Sequence, residues 1–221
     1  MQRTWTIGDP CYRCGQPSVS GDHVPPLVLF PRQKEAPGYR QELIEVPACA
    51  VHNCSRSKDD EYFAGVIVSC THAYRPPKAM RDRVMRGLKR NNSSLARRLL
   101  ARSTPVEFRG MRTGALEIEW ERVQRVLRAT AHGLYWNKYR RQLPTEFVVW
   151  VWRGPWGETT LNGIVEAQRP QELHELDREL DRRGAPIEGA HEDIFWFQCL
   201  EDPPLVLMTF YSEIQFFAVT L

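Results

Sequence analysis

The sequence predicts an α+β fold in three parts, and three observations carry that prediction. Five of the six cysteines fall within residues 1–77, among prolines and with little periodicity. Residues 78–144 place apolar side chains at helical spacing on strongly basic segments. From residue 145 onward, runs of β-branched and aromatic residues take over. The expected organisation is a metal-stapled N-terminal module over 1–77, a basic helical region over 78–144, and a C-terminal, mainly antiparallel sheet with helices over 145–221.

With 221 residues, 42% of them hydrophobic and 26% charged, the chain has the make-up of an ordinary globular protein able to bury a core. A formal net charge of +3 does not make the whole chain a polyanion binder, so local charge must decide that question. The opening "MQRTWTIGDP" lacks the apolar stretch of a secretory signal. No run approaches the ~18 apolar residues of a membrane span. The expected location is cytoplasmic, with no membrane partner. In a reducing compartment six cysteines are expected as thiols or metal ligands rather than disulfides.

In "CYRCG", Cys11 and Cys14 stand two residues apart and Gly15 relieves the tight turn. Cys49 and His52 repeat the same gap after 34 intervening residues. Three sulfurs and one nitrogen are a usual donor set for a closed tetrahedral structural zinc site. Cys54 is the alternative fourth ligand, while Cys70 and Cys199 read as packing residues.

Between the two pairs, "SGDHVPP" sets Asp22 beside His23 ahead of two stiffening prolines. "QELIEVPAC" reads as a strand with Leu43 and Val46 apolar and Pro47 closing it. Asn53 then falls in the first turn of a helix expected to run through Phe63. A carboxylate and an amide oxygen are hard ligands suited to Mg²⁺ or Mn²⁺. An imidazole beside them can take a proton from water near neutral pH. That combination suits hydrolysis of a phosphodiester. Asp59 and Asp60, in "SKDDE", read as a solvated helix face near an N-terminus, with a further metal ligand as the alternative.

The ordered set CYRC, GDHVPP and VPACAVHN resembles the HNH endonucleases, which pair a ββα-metal fold with a zinc knuckle; it covers roughly residues 9–65. The resemblance implies His23 as general base, with Asp22 and Asn53 as ligands of a catalytic Mg²⁺ or Mn²⁺. It also matches Cys11, Cys14, Cys49 and His52 to the structural zinc positions, His52 standing where Cys is more usual. The family's middle Asn, which steadies the loop bearing the catalytic His, is replaced here by Gln41 or Glu42. The function so implied is cleavage of nucleic acid, DNA before RNA, in bacterial defence or DNA processing. The competing reading is a non-catalytic zinc module that binds nucleic acid or a protein.

Residues 78–103 hold nine Lys or Arg and one Asp. Met80, Val84 and Leu88 form an apolar stripe; Asn91 and Asn92 are expected to break the helix, and a second helix to bury Leu95 and Leu99. Arg81, Arg86, Lys89, Arg90, Arg97 and Arg98 are the candidate phosphate contacts. A second amphipathic helix over 121–144 turns Val123, Val126, Leu127, Thr130 and Leu134 to one face. Tyr135, Trp136 and Tyr139 read as core first and as base-stacking residues second. "LEIEW" alternates as a short strand would. Four strands are expected in "EFVVWVW", "DIFWFQCL", "LVLMTFY" and "IQFFAVTL", with an acidic helix turning Leu173, Leu176 and Leu180 inward. Scaffolding, target recognition, or contact with a protein partner or second copy are the roles open to that sheet.

Overall fold

Gly21 lets two short strands close on each other. Strand β1 (Ser20–His23) pairs antiparallel with β2 (Glu45–Ala48), setting Gly21 opposite Pro47 and His23 opposite Glu45. The Glu45 carboxylate lies across Gly21, where a Cβ would meet its Oε1 at 1.6 Å. Pro47 does not end β2; the strand continues to Ala48, since a proline is tolerated on the edge of a two-stranded sheet. Two helices follow, α1 (Ala50–Cys54) and α2 (Ser57–Cys70), in place of one helix through Phe63. This is a β-hairpin followed directly by a helix.

The computed structural model describes residues 5–54, 57–71, 75–101, 103–108, 111–153 and 170–220. Within these, the side chains at 54, 90–96, 98–100, 106, 108, 111–116, 152–153 and 170 are not described. The expectations for Leu95 and Leu99, and for the side chains of Cys54, Arg90 and Arg98, therefore lie outside the described residues.

The middle region departs from its expected pattern twice. Helix α3 (Lys78–Ala101) runs unbroken through Asn91 and Asn92. A hairpin of β3 (Ser103–Phe108) and β4 (Met111–Leu116) then intervenes, and "LEIEW" is not the expected strand: β4 ends at its first residue, Leu116, and α4 begins at its last, Trp120. Helix α4 (Trp120–Tyr139) follows and ends with Arg140 in the left-handed conformation, short of Pro144. All five residues of its expected apolar face are buried. Tyr135 and Tyr139 are core residues whose hydroxyls donate to the carbonyls of Glu201 and Cys199. His132, also buried, sets its ring edge-on to Phe147, and burial pushes its imidazole down to about 3.

The C-terminal region is a five-stranded sheet. Four strands match the expected runs: β5 (Phe147–Arg153), β7 (Phe195–Leu200), β8 (Leu205–Phe210) and β9 (Ile214–Thr220). The fifth, β6 (Glu188–His191), is too short and polar to announce itself. The order is β5-β9-β8-β7-β6, with every neighbouring pair antiparallel. In central β8, Val206, Met208 and Phe210 face the main core, while Leu205 and Leu207 face helix α5 (Pro170–Arg182). Both faces are covered, so the strand reads as a continuous apolar run rather than an alternating one. Leu173 and Leu180 of α5 are buried on that second face, and Leu176 packs beside them.

The main core draws on all three regions. Tyr12, Val24 and Phe30 join Phe63 of α2, Leu127 of α4 and Phe210 of β8 in one buried cluster. The fold is mixed α+β, and among the described residues no helix is long and apolar enough to cross a membrane. Asp59 is not a solvated acid: it accepts hydrogen bonds from Arg122 and Arg125 of α4 at 2.7 Å each. Burial alone would raise its carboxyl, but those two guanidinium groups hold it below its ordinary value.

Two helical glycines give opposite expectations. A Cβ at Gly133 would sit 2.5 Å from Val24 Cγ1, whereas one at Gly65 meets nothing within 4 Å. Gly133→Ala is expected to cost about 1–3 kcal/mol through overpacking. Gly65→Ala should instead gain about 0.5–1 kcal/mol of helix propensity. Denaturant unfolding of both variants checks the opposite signs.

Candidate metal centre and adjoining polar site

The two halves of the expected metal site converge. Cys11 and Cys14 lie on a knuckle closed by Gly15 N–H donating to the Cys11 carbonyl at 3.0 Å. Gly15 adopts φ +74, a conformation L side chains rarely take. The Tyr12 N–H donates to the Pro47 carbonyl at 2.9 Å, which seats the knuckle on β2. Cys49 and His52 open α1, with the His52 N–H donating back to the Cys49 carbonyl.

The donor atoms of Cys11, Cys14, Cys49 and His52 all lie within 4.8 Å of one another. His52 Nδ1 stands 3.4 Å from both Cys11 Sγ and Cys49 Sγ, and Cys14 Sγ stands 3.8 Å from Cys49 Sγ. A tetrahedral zinc with Zn–S of about 2.3 Å and Zn–N of about 2.0–2.1 Å has edges of about 3.8 Å (S–S) and about 3.6 Å (S–N). The three shortest separations are close to those edges, the four donors lie close enough together to hold one ion, and the donor set suits zinc. All five described cysteines are free thiols. Burial raises the Cys49 thiol, but N–H groups of His52 and Val51 and the neighbouring thiols turn the balance and lower it. Cys70 and Cys199 are packing residues, as expected: burial pushes Cys70 up to about 12 and Cys199 higher still.

Beside this cluster lie the three polar candidates. Asp22 is buried on β1, and its Oδ2 accepts a hydrogen bond of 2.8 Å from the Tyr12 hydroxyl. Tyr12 follows the first cysteine ligand directly, so the metal knuckle and Asp22 are linked through one rigid side chain. His23, half-buried, ends β1 and leads into a cis Val24–Pro25 bond. Asn53 reaches from α1 to β1, donating from Nδ2 to Ser20 Oγ at 2.6 Å and to the Gly21 carbonyl at 3.0 Å. Since that carbonyl can only accept, the amide is oriented with Nδ2 toward β1, which leaves Oδ1 as its acceptor.

Gln41 and Glu42 are exposed, and the segment after His23 is held by other side chains. Arg40 donates to the carbonyls of Pro31, Leu27 and Phe30, at 3.0, 3.3 and 3.3 Å. Arg83 of α3 donates to the carbonyls of Val28 and Phe30, and to Glu35 at 2.5 Å. Hydrogen bonding from Arg83 lowers the Glu35 carboxyl to about 2, against its burial. Tyr211, from the C-terminal sheet, adds a hydrogen bond to the Leu29 carbonyl. Two guanidinium groups and one phenol thus fix the segment after His23. Sequence reasoning missed Tyr12, Arg40, Arg83 and Tyr211. Only Tyr12 carried a local signal, its place between two cysteine ligands.

The basic candidates of α3 differ in their surroundings. Arg81 donates to the Pro76 carbonyl and Arg86 to Glu35, whereas Lys89 and Arg97 are exposed. No family model, curated protein or solved structure matches the chain.

The four metal donors and the three polar candidates separate by experiment. His52→Ala and Cys14→Ser are expected to bring bound zinc well below about one equivalent per chain and to lower thermal stability, since the ion would tie α1 to the knuckle that precedes the hairpin. Asp22→Asn is expected to leave the zinc content unchanged. Metal analysis after exhaustive dialysis reads both.

Proposed function

We propose that the chain is a metal-dependent endonuclease of the HNH type, hydrolysing phosphodiester bonds in nucleic acid, DNA first. The observation that carries this reading is the ββα order built around the Cys₃His cluster. Strand β1 ends in Asp22 and His23, β2 returns beside it, and α1 brings Asn53 back onto β1. Zinc at Cys11, Cys14, Cys49 and His52 would act structurally, holding α1 against the hairpin.

Asp22 and Asn53 would hold Mg²⁺ or Mn²⁺ through a carboxylate and an amide oxygen, a donor chemistry that fits these ions. The orientation of Asn53, with Nδ2 committed to Ser20 and Gly21, supports that role for Oδ1. When bound, such an ion neutralises charge on the scissile phosphate and the departing oxygen. His23 accepts a proton from water as the water oxygen bonds to phosphorus and the bond to the departing oxygen breaks. Tyr12 holds Asp22 in place from the zinc knuckle, and Arg40 and Arg83 keep the segment after His23 from drifting. Lys89 and Arg97, exposed on α3, are the cations this reading assigns to phosphate contact, sequence-independent and weakened by salt.

The test is cleavage of supercoiled plasmid with Mg²⁺ or Mn²⁺. Wild type is expected to nick or linearise it. His23→Ala should lose at least about 100-fold in rate, the share a general base commonly supplies, while keeping its zinc and its affinity for DNA. Equal rates in the two proteins would remove His23 from the chemistry. If neither cuts DNA, single-stranded DNA or RNA, the chain is a binding module and the reading fails.

A further inference from the structure

A cleft of about 920 Å³ opens on the far side of the segment that follows His23, between that segment, α2 and the first turns of α3. Its size is that of a small-molecule site. Its floor is apolar: Leu27 and Val28 from the segment, Val66 from α2, Met80 and Val84 from α3, and Ile118 ahead of α4.

Two glycines keep this volume open. Gly65 of α2 and Gly87 of α3 both line the cleft, and a Cβ built on either meets nothing within 4 Å. Neither has a positive φ. A glycine inside a helix costs about 0.5–1 kcal/mol relative to alanine. Gly133 repays that cost by close packing on Val24, but no contact or backbone conformation repays it at Gly65 or Gly87. What the two glycines supply is space.

The charge around that space is net positive. Five basic side chains line the cleft, Arg32, Lys34, Arg40, Arg83 and Arg86, against three acidic ones, Glu35, Glu61 and Glu117. Glu35 is already neutralised by Arg83 and Arg86, at 2.5 and 2.9 Å. Arg32 and Lys34 stand exposed, and the buried Nε of Arg83 has no hydrogen-bond partner among the described residues. Arg40 and Arg83 commit most of their N–H donors to backbone carbonyls and Glu35. The exposed Arg32 guanidinium, suited to phosphate and carboxylate, and the Lys34 ammonium are therefore the groups that meet a headgroup.

We propose that this cleft binds a small organic anion with an apolar body, its phosphate or carboxylate headgroup held by the basic rim and its body laid on the apolar floor beside Gly65 and Gly87. The site is distinct from Asp22, His23 and Asn53, and it stands whether or not the chain cleaves nucleic acid.

The experiment is a fluorescence titration of the intact chain with 8-anilinonaphthalene-1-sulfonate, an aromatic anion. One saturable site per chain is expected. Gly65→Leu, which projects a side chain into the cleft, should weaken it by about tenfold or more, and Gly65→Ala only slightly. The double surface variant Arg32→Glu, Lys34→Glu, which leaves the apolar floor intact, should weaken it about fivefold or more. Octyl phosphate or octanoate should displace the dye while octanol, with the same tail, does not; the better competitor identifies the headgroup. Absence of a saturable site, indifference to both Gly65→Leu and the double variant, or displacement by octanol equal to that by the anions would each overturn the proposal.

Discussion

Four donor atoms drawn from two distant stretches of chain are the constraint on which the N-terminal part of this protein depends. Cys11 and Cys14 sit before the hairpin, Cys49 and His52 after it, and their donors converge within 4.8 Å. A four-residue strand pair has little area of its own to bury, and an ion held by all four donors would close the loop between residues 14 and 49. The consequences travel by short steps. The knuckle carries Tyr12, whose hydroxyl meets Asp22. The helix that begins at the second pair carries Asn53, which ties back to Ser20 and Gly21. Each polar candidate near His23 is thus one side chain away from the metal cluster.

The rest of the chain supports the other side of the hairpin. Residues 24–44 connect β1 to β2 and would be a long unsupported loop in isolation. Arg40 and Arg83 hold its carbonyls, Tyr211 reaches Leu29 from the sheet, and Tyr39 donates to Asp193. Val24 and Phe30 enter the same buried cluster as α4 and β8. This gives the C-terminal sheet a physical role as scaffold. The turns at one end of the sheet, through His191, Asp193 and Tyr211, meet the segment following His23, while α4 packs on one face and α5 on the other.

Local chemistry made much of this legible in the sequence. Metal ligands announce themselves through matched spacing, and the buried faces of α4 and α5 follow from apolar residues at helical intervals. What escaped depends on partners far away in sequence or on weak local signals. An asparagine inside a helix costs only a few tenths of a kcal/mol more than its neighbours, so Asn91 and Asn92 did not stop α3. The β3–β4 hairpin lay among Arg, Thr and Gly residues with few apolar positions to alternate. Asp59 looked like a solvated acid because Arg122 and Arg125 lie more than sixty residues on. Arg40 and Arg83 bind backbone carbonyls, which leave no trace in residue identity. Sequence position pointed to Gln41 or Glu42 as the support of the loop after His23, whereas the guanidinium groups of Arg40 and Arg83 hold its carbonyls.

The most direct test of this account is X-ray absorption at the zinc edge on the protein as purified. Three sulfur neighbours at about 2.3 Å and one nitrogen at about 2.0–2.1 Å are predicted, with the nitrogen replaced by sulfur or solvent oxygen in His52→Cys or His52→Ala. A protein that carries no zinc, or that shows four sulfurs with His52 present, would contradict the Cys₃His centre on which the hairpin, Asp22 and Asn53 are built.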